Sequence, residues 1–143
     1  MISTKGRYAV RIMIEIGAQA DAKHPEKSVP MSLEVISKNQ NLPKKYSEAI
    51  VYKMLQAGLL ESVRGRRGGY RLIKPARDYT IDEILESTEG SLAPVSCLLP
   101  DAPTCENAAE CKSLSLWQKY DMLTKDYFHS VTLEDLINGT ISA

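Results

Sequence analysis

The chain has 143 residues, of which 43% are hydrophobic and 25% are charged. This composition lies within the range of ordinary globular proteins and argues against a chain disordered throughout. The length suffices for one hydrophobic core with a small appended element that borrows stability from a partner chain. Because no apolar run approaches the roughly 20 residues that cross a bilayer, and no secretory signal pattern opens the sequence, we expect a cytoplasmic protein.

The formal net charge of +0 hides a division of the chain into two oppositely charged parts. Residues 1–79 hold 15 Lys and Arg against 7 Asp and Glu, a balance of +8, whereas residues 80–143 hold 3 against 11, a balance of −8. A basic unit followed by an acidic one indicates that the first part meets a polyanion. The alternative is a chance clustering of solvated surface charge.

Two of the three helices predicted in the basic part are separated by only a short break. The first helix begins at Ser3 or Thr4 and extends to about Ala20, with apolar residues at helical spacing. The second opens at Ser32, and the break at residues 41–43 separates it from the third, which extends from residue 44 to about 57. This layout, with Lys44 and Lys45 opening the third helix, is typical of a helix-turn-helix whose second helix enters the major groove of DNA.

A basic hairpin is predicted immediately after these helices. Its strands cover residues 59–64 and 70–74, and the tip between them reads Gly65-Arg66-Arg67-Gly68-Gly69. Glycines allow a close approach to a surface, and Arg64, Arg66 and Arg67 carry guanidinium groups for phosphates or a minor groove. The hairpin is therefore predicted to be a wing. An ordinary hairpin whose arginines keep the protein soluble is the alternative. A nucleotide-binding loop is set aside, because the glycine spacing matches neither the P-loop nor the dinucleotide-binding fingerprint.

The acidic part is predicted to contain a packing helix, an irregular loop and a long helix. Thr80 to Glu83 matches a capping box for the packing helix, which ends at Gly90. Another capping signal at Thr132 opens a final short helix. The long helix carries large apolar residues at spacings of three and four. These are Leu114, Trp117, Tyr120, Leu123 and Tyr127.

A stripe of this kind on so short a chain predicts burial against a second copy, and hence a homodimer. Packing of the long helix on its own N-terminal domain is the alternative. We expect a mainly helical fold with a small β-hairpin wing, organised in three units. These are a winged helix-turn-helix (residues 1–79), a packing helix with a cysteine loop (80–112), and a dimerisation helix with a short C-terminal helix (113–143).

Three cysteines, Cys97, Cys105 and Cys111, lie in or beside the irregular loop. An odd number cannot all pair within one chain, and thiolates are the preferred ligands of iron-sulfur clusters. A zinc site is disfavoured by the absence of a C-x2-C pair and of a nearby histidine. The alternative to a cluster is three thiols that bind no metal. Spacing selects no fourth cluster ligand among Glu106, Glu110 and His129.

No catalytic arrangement is evident in the sequence. A nucleophile with a nearby base, or a carboxylate pair at a suitable spacing, would be needed, and neither His24 nor His129 has an evident partner. Both histidines are interpreted as loop or surface residues. We therefore expect that the protein is not an enzyme.

Several short segments together resemble the Rrf2 family of transcription regulators, and in particular its IscR type. They are Lys5-Gly6-Arg7-Tyr8-Ala9, Ala57-Gly58-Leu59, Val63-Arg64-Gly65, Gly68-Gly69-Tyr70-Arg71-Leu72, and Glu89-Gly90 before the cysteine loop. The resemblance covers nearly the whole chain. It implies a dimeric winged-helix regulator whose three cysteines hold a 2Fe-2S or 4Fe-4S cluster and which controls cluster biogenesis or stress genes.

The resemblance also assigns roles to individual residues. Glu48 matches a base-contacting glutamate, Ala49 stands where glutamine is usual, and Arg64 matches an arginine that enters the minor groove. The three cysteines match the cluster ligands. Two departures leave the fourth ligand and the cluster type open. Leu114 replaces the histidine that the IscR type places after its last cysteine, and Arg7 replaces an N-terminal aspartate of the NsrR type.

The expected function is sequence-specific binding of double-stranded DNA by a regulator, a repressor or an activator, that senses iron-sulfur cluster status, with 2Fe-2S favoured. A cluster-free regulator acting through thiol oxidation or a partner enzyme of cysteine metabolism is the alternative. An adaptor that uses the winged helix for protein contacts is a third reading. The expected DNA-contacting residues are Lys44, Lys45, Tyr46, Glu48, Ala49, Tyr52, Arg64, Arg66, Arg67 and Gly68.

Overall fold

The computed structural model describes residues 1–142, so Ala143, the last residue of the predicted C-terminal unit, lies outside it. Over the described residues the chain forms six α-helices and one antiparallel hairpin, which confirms the expected fold class. Across residues 1–142, no helix combines the length and apolarity needed to traverse a lipid bilayer. The elements are α1 (Thr4–Ala18), α2 (Leu33–Gln40), α3 (Lys44–Gln56), β1 (Leu60–Val63), β2 (Gly69–Leu72), α4 (Ile81–Glu89), α5 (Leu114–Ser130) and α6 (Leu133–Asn138).

Helix α1 lies at the centre of the core. The Ser3 side chain accepts a hydrogen bond from the Gly6 N–H and caps the helix, as predicted. Its apolar face is buried against the other elements, with Ile12 and Met13 wholly inaccessible to solvent. The helix ends at Ala18, two residues earlier than expected. Burial of this face contributes about 1.5–3 kcal/mol for each large side chain.

The hairpin is short and is extended by a third segment. Leu60 pairs with Leu72 and Val63 with Gly69, so each strand is shorter than predicted. Beside β2, Met31 exchanges two backbone hydrogen bonds with Tyr70, at 2.9 and 2.8 Å. The extended stretch before α2 thereby joins the root of the hairpin to the helix-turn-helix.

Helix α4 begins without the predicted capping box, and that expectation is wrong. The Thr80 side chain makes no capping hydrogen bond. The Glu83 carboxylate accepts from Lys74 Nζ at 2.9 and 3.0 Å instead, and Thr80 forms an isolated β-bridge with Thr132. Tertiary contacts have therefore replaced the local cap. The second predicted box is confirmed, because Thr132 and Asp135 cap α6 reciprocally.

Tyr79 joins the base of the hairpin to the start of α4. Its ring is fully buried, and its hydroxyl donates to the Leu59 carbonyl at 2.7 Å. The same oxygen accepts from the backbone N–H groups of Ile73 and Lys74, at 3.0 and 3.3 Å. Burial raises the pKa of this phenol. One side chain thus satisfies three backbone groups at the point where the chain leaves the hairpin.

We predict that Tyr79→Phe lowers the free energy of unfolding by about 1–3 kcal/mol, because it leaves buried backbone groups without partners. Urea denaturation followed by circular dichroism measures this change. Tyr70→Phe is the matched control, since the Tyr70 hydroxyl has no hydrogen-bond partner within residues 1–142, and it should cost far less. Equal stabilities of the two variants would contradict the role given to Tyr79.

Candidate nucleic-acid interface and cysteine loop

Helix α3 turns one face to the core and the other to solvent. Ile50, Val51 and Met54 are buried against α1 and α4. The opposite face carries five of the residues expected to contact DNA, and all five are exposed: Lys44, Lys45, Glu48, Ala49 and Tyr52. The outer face of α3 is therefore accessible to a partner, as the predicted helix-turn-helix requires.

Tyr46, the sixth residue expected on this helix, is half-buried. Its ring meets that of Tyr8 edge to face, with centroids 6.4 Å apart, and the Arg11 guanidinium lies 5.0 Å from the Tyr8 ring centroid. Tyr46 thus packs the start of α3 against α1. A contact with DNA at this position stays a prediction.

The turn between α2 and α3 is held in a defined conformation. Asn41 adopts the left-handed conformation at φ 52°, and the Leu42 N–H donates to the Ser37 carbonyl at 2.9 Å. The Glu15 carboxylate on α1 accepts hydrogen bonds from the side-chain amides of Asn39 and Gln40. These hydrogen bonds therefore tie the end of α2 to α1 directly beside the turn.

The hairpin tip combines a rigid root with a free, cationic end. Gly69 has φ +154°, and a Cβ there would lie 2.3 Å from the Met31 carbonyl oxygen, so only glycine fits. Beyond this root, Arg64, Arg66 and Arg67 are exposed and form no ion pair with any residue in the range 1–142. The three guanidinium groups are consequently free for an external anion.

The wing tip also lies beside the start of α2. Arg66, Arg67 and Gly68 line a groove of about 290 Å³ together with Val29 and Val35. Basic and apolar groups thus share one surface next to the helix-turn-helix. The hairpin therefore projects from the same unit as α3, as a wing does.

The three cysteines are all free and exposed. Cys97 and Cys105 line one cleft of about 620 Å³, whereas Cys111 is not among its lining residues. Cys111 lies 3.5 Å from the Ser113 hydroxyl, and this hydrogen bond holds the pKa of its thiol below the usual value.

The sulfur donors suit an iron-sulfur cluster chemically, but their placement does not assemble a site. No three His, Cys, Asp or Glu side chains within residues 1–142 gather closely enough to hold a metal ion. The chemistry of the three thiols therefore fits a cluster, whereas their arrangement within the described residues is not a ligand set. Ligation by Cys97, Cys105 and Cys111 stays a prediction.

The histidines have partners that the sequence did not indicate. His129 Nδ1 lies 3.0 Å from Asp82 Oδ2, a contact between the end of α5 and the start of α4. Partial burial raises the pKa of Asp82, but hydrogen bonds from Thr80 and His129 outweigh it and leave the pKa lowered. His24 Nδ1 lies 3.3 Å from Glu26 Oε1. Both histidines are exposed, as expected.

Helix α5 carries an apolar stripe that the described residues, 1–142, leave largely uncovered. Four large side chains at positions i, i+4, i+7 and i+11 are more than half exposed: Leu116 (61%), Tyr120 (54%), Leu123 (55%) and Tyr127 (53%). Leu116 was missed at the sequence level, although its seven-residue spacing from Leu123 is visible there. Packing of α5 on its own N-terminal domain, the alternative, is seen in part, since Trp117 and Tyr120 line a cleft with Met1 and Ile2.

A helix-turn-helix with a basic wing defines the class of DNA-binding transcription regulators with a winged-helix fold. Residues 2–139 match the model of the Rrf2 family, described as an iron-dependent transcriptional regulator. The chain belongs to the Rrf2 family.

The relatives that resemble this chain include regulators named CymR and regulators named IscR. The transcriptional regulator CymR of Bacillus subtilis is 37% identical over 139 residues, which cover 97% of this chain and 91% of CymR. The solved structure of CymR, the global cysteine regulator of B. subtilis, superposes with a TM-score of 0.74 at 34% identity, covering 99% and 98% of the two chains. The structure of T. potens IscR gives 0.71 at 30% identity, covering 99% and 88%.

Proposed function

We propose that this regulator reads DNA in a sequence-specific manner with the exposed face of α3 and with the wing. The observation that carries the proposal is the wing tip, where three arginines without ion-pair partners in residues 1–142 extend from a root that only glycine permits. Lys44 and Lys45 add positive charge at the start of α3. Phosphate contacts position such a protein, and we propose that Glu48 and Arg64 make the base contacts that distinguish sequences.

The regulator is proposed to act as a homodimer held together by α5. The uncovered stripe has the spacing of a coiled-coil seam, which a second α5 would bury. A two-fold axis between the helices would present two copies of α3 to half-sites about one DNA turn apart. The occupant of the stripe is therefore a second copy of this chain.

The cysteine loop is proposed as the sensing element, with an iron-sulfur cluster, 2Fe-2S favoured, as its cofactor. The likeness to IscR and the three thiols of one loop support this proposal. The cluster would supply a redox-sensitive centre held by thiolates. Regulation, rather than an enzymatic reaction, is the function proposed, in line with relatives named as transcriptional regulators.

A second candidate function is favoured by the placement of the thiols. They are exposed and not gathered, Cys111 has a lowered pKa, and CymR is a cysteine regulator. A lowered pKa increases the share of thiolate, the form that oxidants attack, so the same loop would sense redox state without a metal. A partner enzyme of cysteine metabolism is the other cluster-free route.

We predict that Arg64→Ala weakens binding to a specific duplex by about 1–3 kcal/mol, because a groove contact is lost. Lys44→Ala should weaken binding to all sequences alike and reduce the salt slope by about one. Fluorescence anisotropy measures both, with a duplex that the wild-type protein selects from a random pool and a scrambled duplex of equal length. Uniform losses on both duplexes for Arg64→Ala would contradict its assignment.

We predict that Leu123→Glu converts the dimer to a monomer, since it places a charge in the centre of the apolar seam. Size-exclusion chromatography with light scattering at micromolar concentration measures the mass. Gln118→Glu adds the same charge on the opposite face of α5 and should remain dimeric. A wild-type protein that is monomeric under these conditions would overturn the proposal.

We predict that protein purified anaerobically carries about two iron and two sulfide atoms per chain, the content of a 2Fe-2S cluster. Iron analysis, labile sulfide analysis and the visible absorption spectrum measure this content. Cys105→Ser should lose it, whereas the neighbouring Thr104→Ser should not. A colourless protein without iron or sulfide would instead favour the cluster-free regulator.

A further inference from the structure

Lys53 differs from the other lysines of α3 in what it contacts. Its ammonium donates a hydrogen bond to the backbone carbonyl of Thr88, with Nζ and the oxygen 3.2 Å apart. Thr88 is only 6% exposed and lies in the last turn of α4. Lys44 and Lys45, in contrast, have no side-chain hydrogen bond or ion pair within residues 1–142.

The end of α4 needs a cation that its own sequence does not supply. The last carbonyl groups of a helix lack intrahelical donors and form the negative end of its dipole. The Gly90 N–H satisfies the Glu86 carbonyl at 2.9 Å, but the last turn of α4 contains no basic residue and includes Glu86 and Glu89. Lys53 supplies both the missing donor and the missing positive charge from the neighbouring helix.

The same end of α4 is also attached to α1. Glu89 Oε1 accepts from the Ser3 N–H at 2.9 Å and from the Ser3 hydroxyl at 2.6 Å, which places an anion at the positive end of α1. Ser3, Tyr46, Thr88 and Glu89 line one cleft of about 440 Å³ between the three helices. This junction lies immediately before Gly90, where the chain enters the cysteine loop.

We propose that Lys53 is a positioning residue, which fixes the recognition helix to the end of α4 and does not bind phosphate. The proposal rests on the proposed function, in which α3 enters the major groove. Base-edge contacts at two half-sites require both helices at a defined angle, whereas phosphate contacts alone tolerate small rotations. Loss of Lys53 should therefore impair specific binding and spare non-specific binding.

The test compares Lys53→Met, Lys53→Arg and Lys44→Ala in the full-length protein. The probes are a duplex that the wild-type protein selects from a random pool and a scrambled duplex of equal length, each titrated over a range of salt concentrations. We expect Lys53→Met to lose about tenfold affinity for the selected duplex only, the effect of about 1.4 kcal/mol or one hydrogen bond. Its salt slope should equal that of the wild type, and Lys53→Arg, which retains the cation, should restore affinity.

Two results would overturn the proposal. One is a loss on both duplexes with a salt slope reduced by about one, the pattern expected of Lys44→Ala and of any phosphate-binding lysine. The other is affinity unchanged on both duplexes. Unchanged affinity of Lys53→Met for the scrambled duplex also serves as the check that the variant is folded. Failure of the proposed function gives a different result, since the wild type would then select no duplex.

Discussion

Burial of one face of α4 against α1 and α3 is the constraint on which the rest of this structure depends. Ile81, Ile84, Leu85 and Thr88 recur at helical spacing and are all buried. Each large side chain contributes about 1.5–3 kcal/mol to stability when it leaves water. Because α4 is held on this face, its first turn can meet the α5–α6 junction while its last turn contacts α1 and α3. The helix therefore connects the winged helix-turn-helix to the elements that follow it.

Rigidity and charge are distributed in opposite ways over the winged unit. Its base is fixed by backbone hydrogen bonds, through Met31, Tyr70 and the buried hydroxyl of Tyr79. Its outer surface carries three wing arginines and the first two lysines of α3, none of which forms an ion pair within residues 1–142. A cationic surface on a rigid base suits a partner that is a regular array of phosphates, because little ordering entropy is then lost on binding.

Much of the architecture and of the candidate site could be predicted from the sequence, because it depends on local patterns. Helical periodicity placed all six helices, capping residues marked the starts of α1, α2 and α6, and the run of glycines and arginines from Gly65 to Gly69 placed the wing. The separation of basic from acidic residues predicts that the first part faces DNA. The family was evident from short segments such as Gly68 to Leu72. The DNA contacts and the cluster ligands themselves stay predictions.

Other features depend on residues far apart in the chain, and no local pattern contains them. Thr80 has the signature of a capping box, in which the Glu83 carboxylate would accept from the Thr80 N–H. The carboxylate instead accepts hydrogen bonds from Lys74, a tertiary partner that competes with the local one. In the sequence Lys53 does not differ from the other lysines of α3. Only the structure shows its hydrogen bond to the carbonyl of Thr88, 35 residues later. The sequence by itself determined the elements, the charge division and the chemistry of the thiols. Only the tertiary structure decided which polar groups meet, because this follows from how the helices pack.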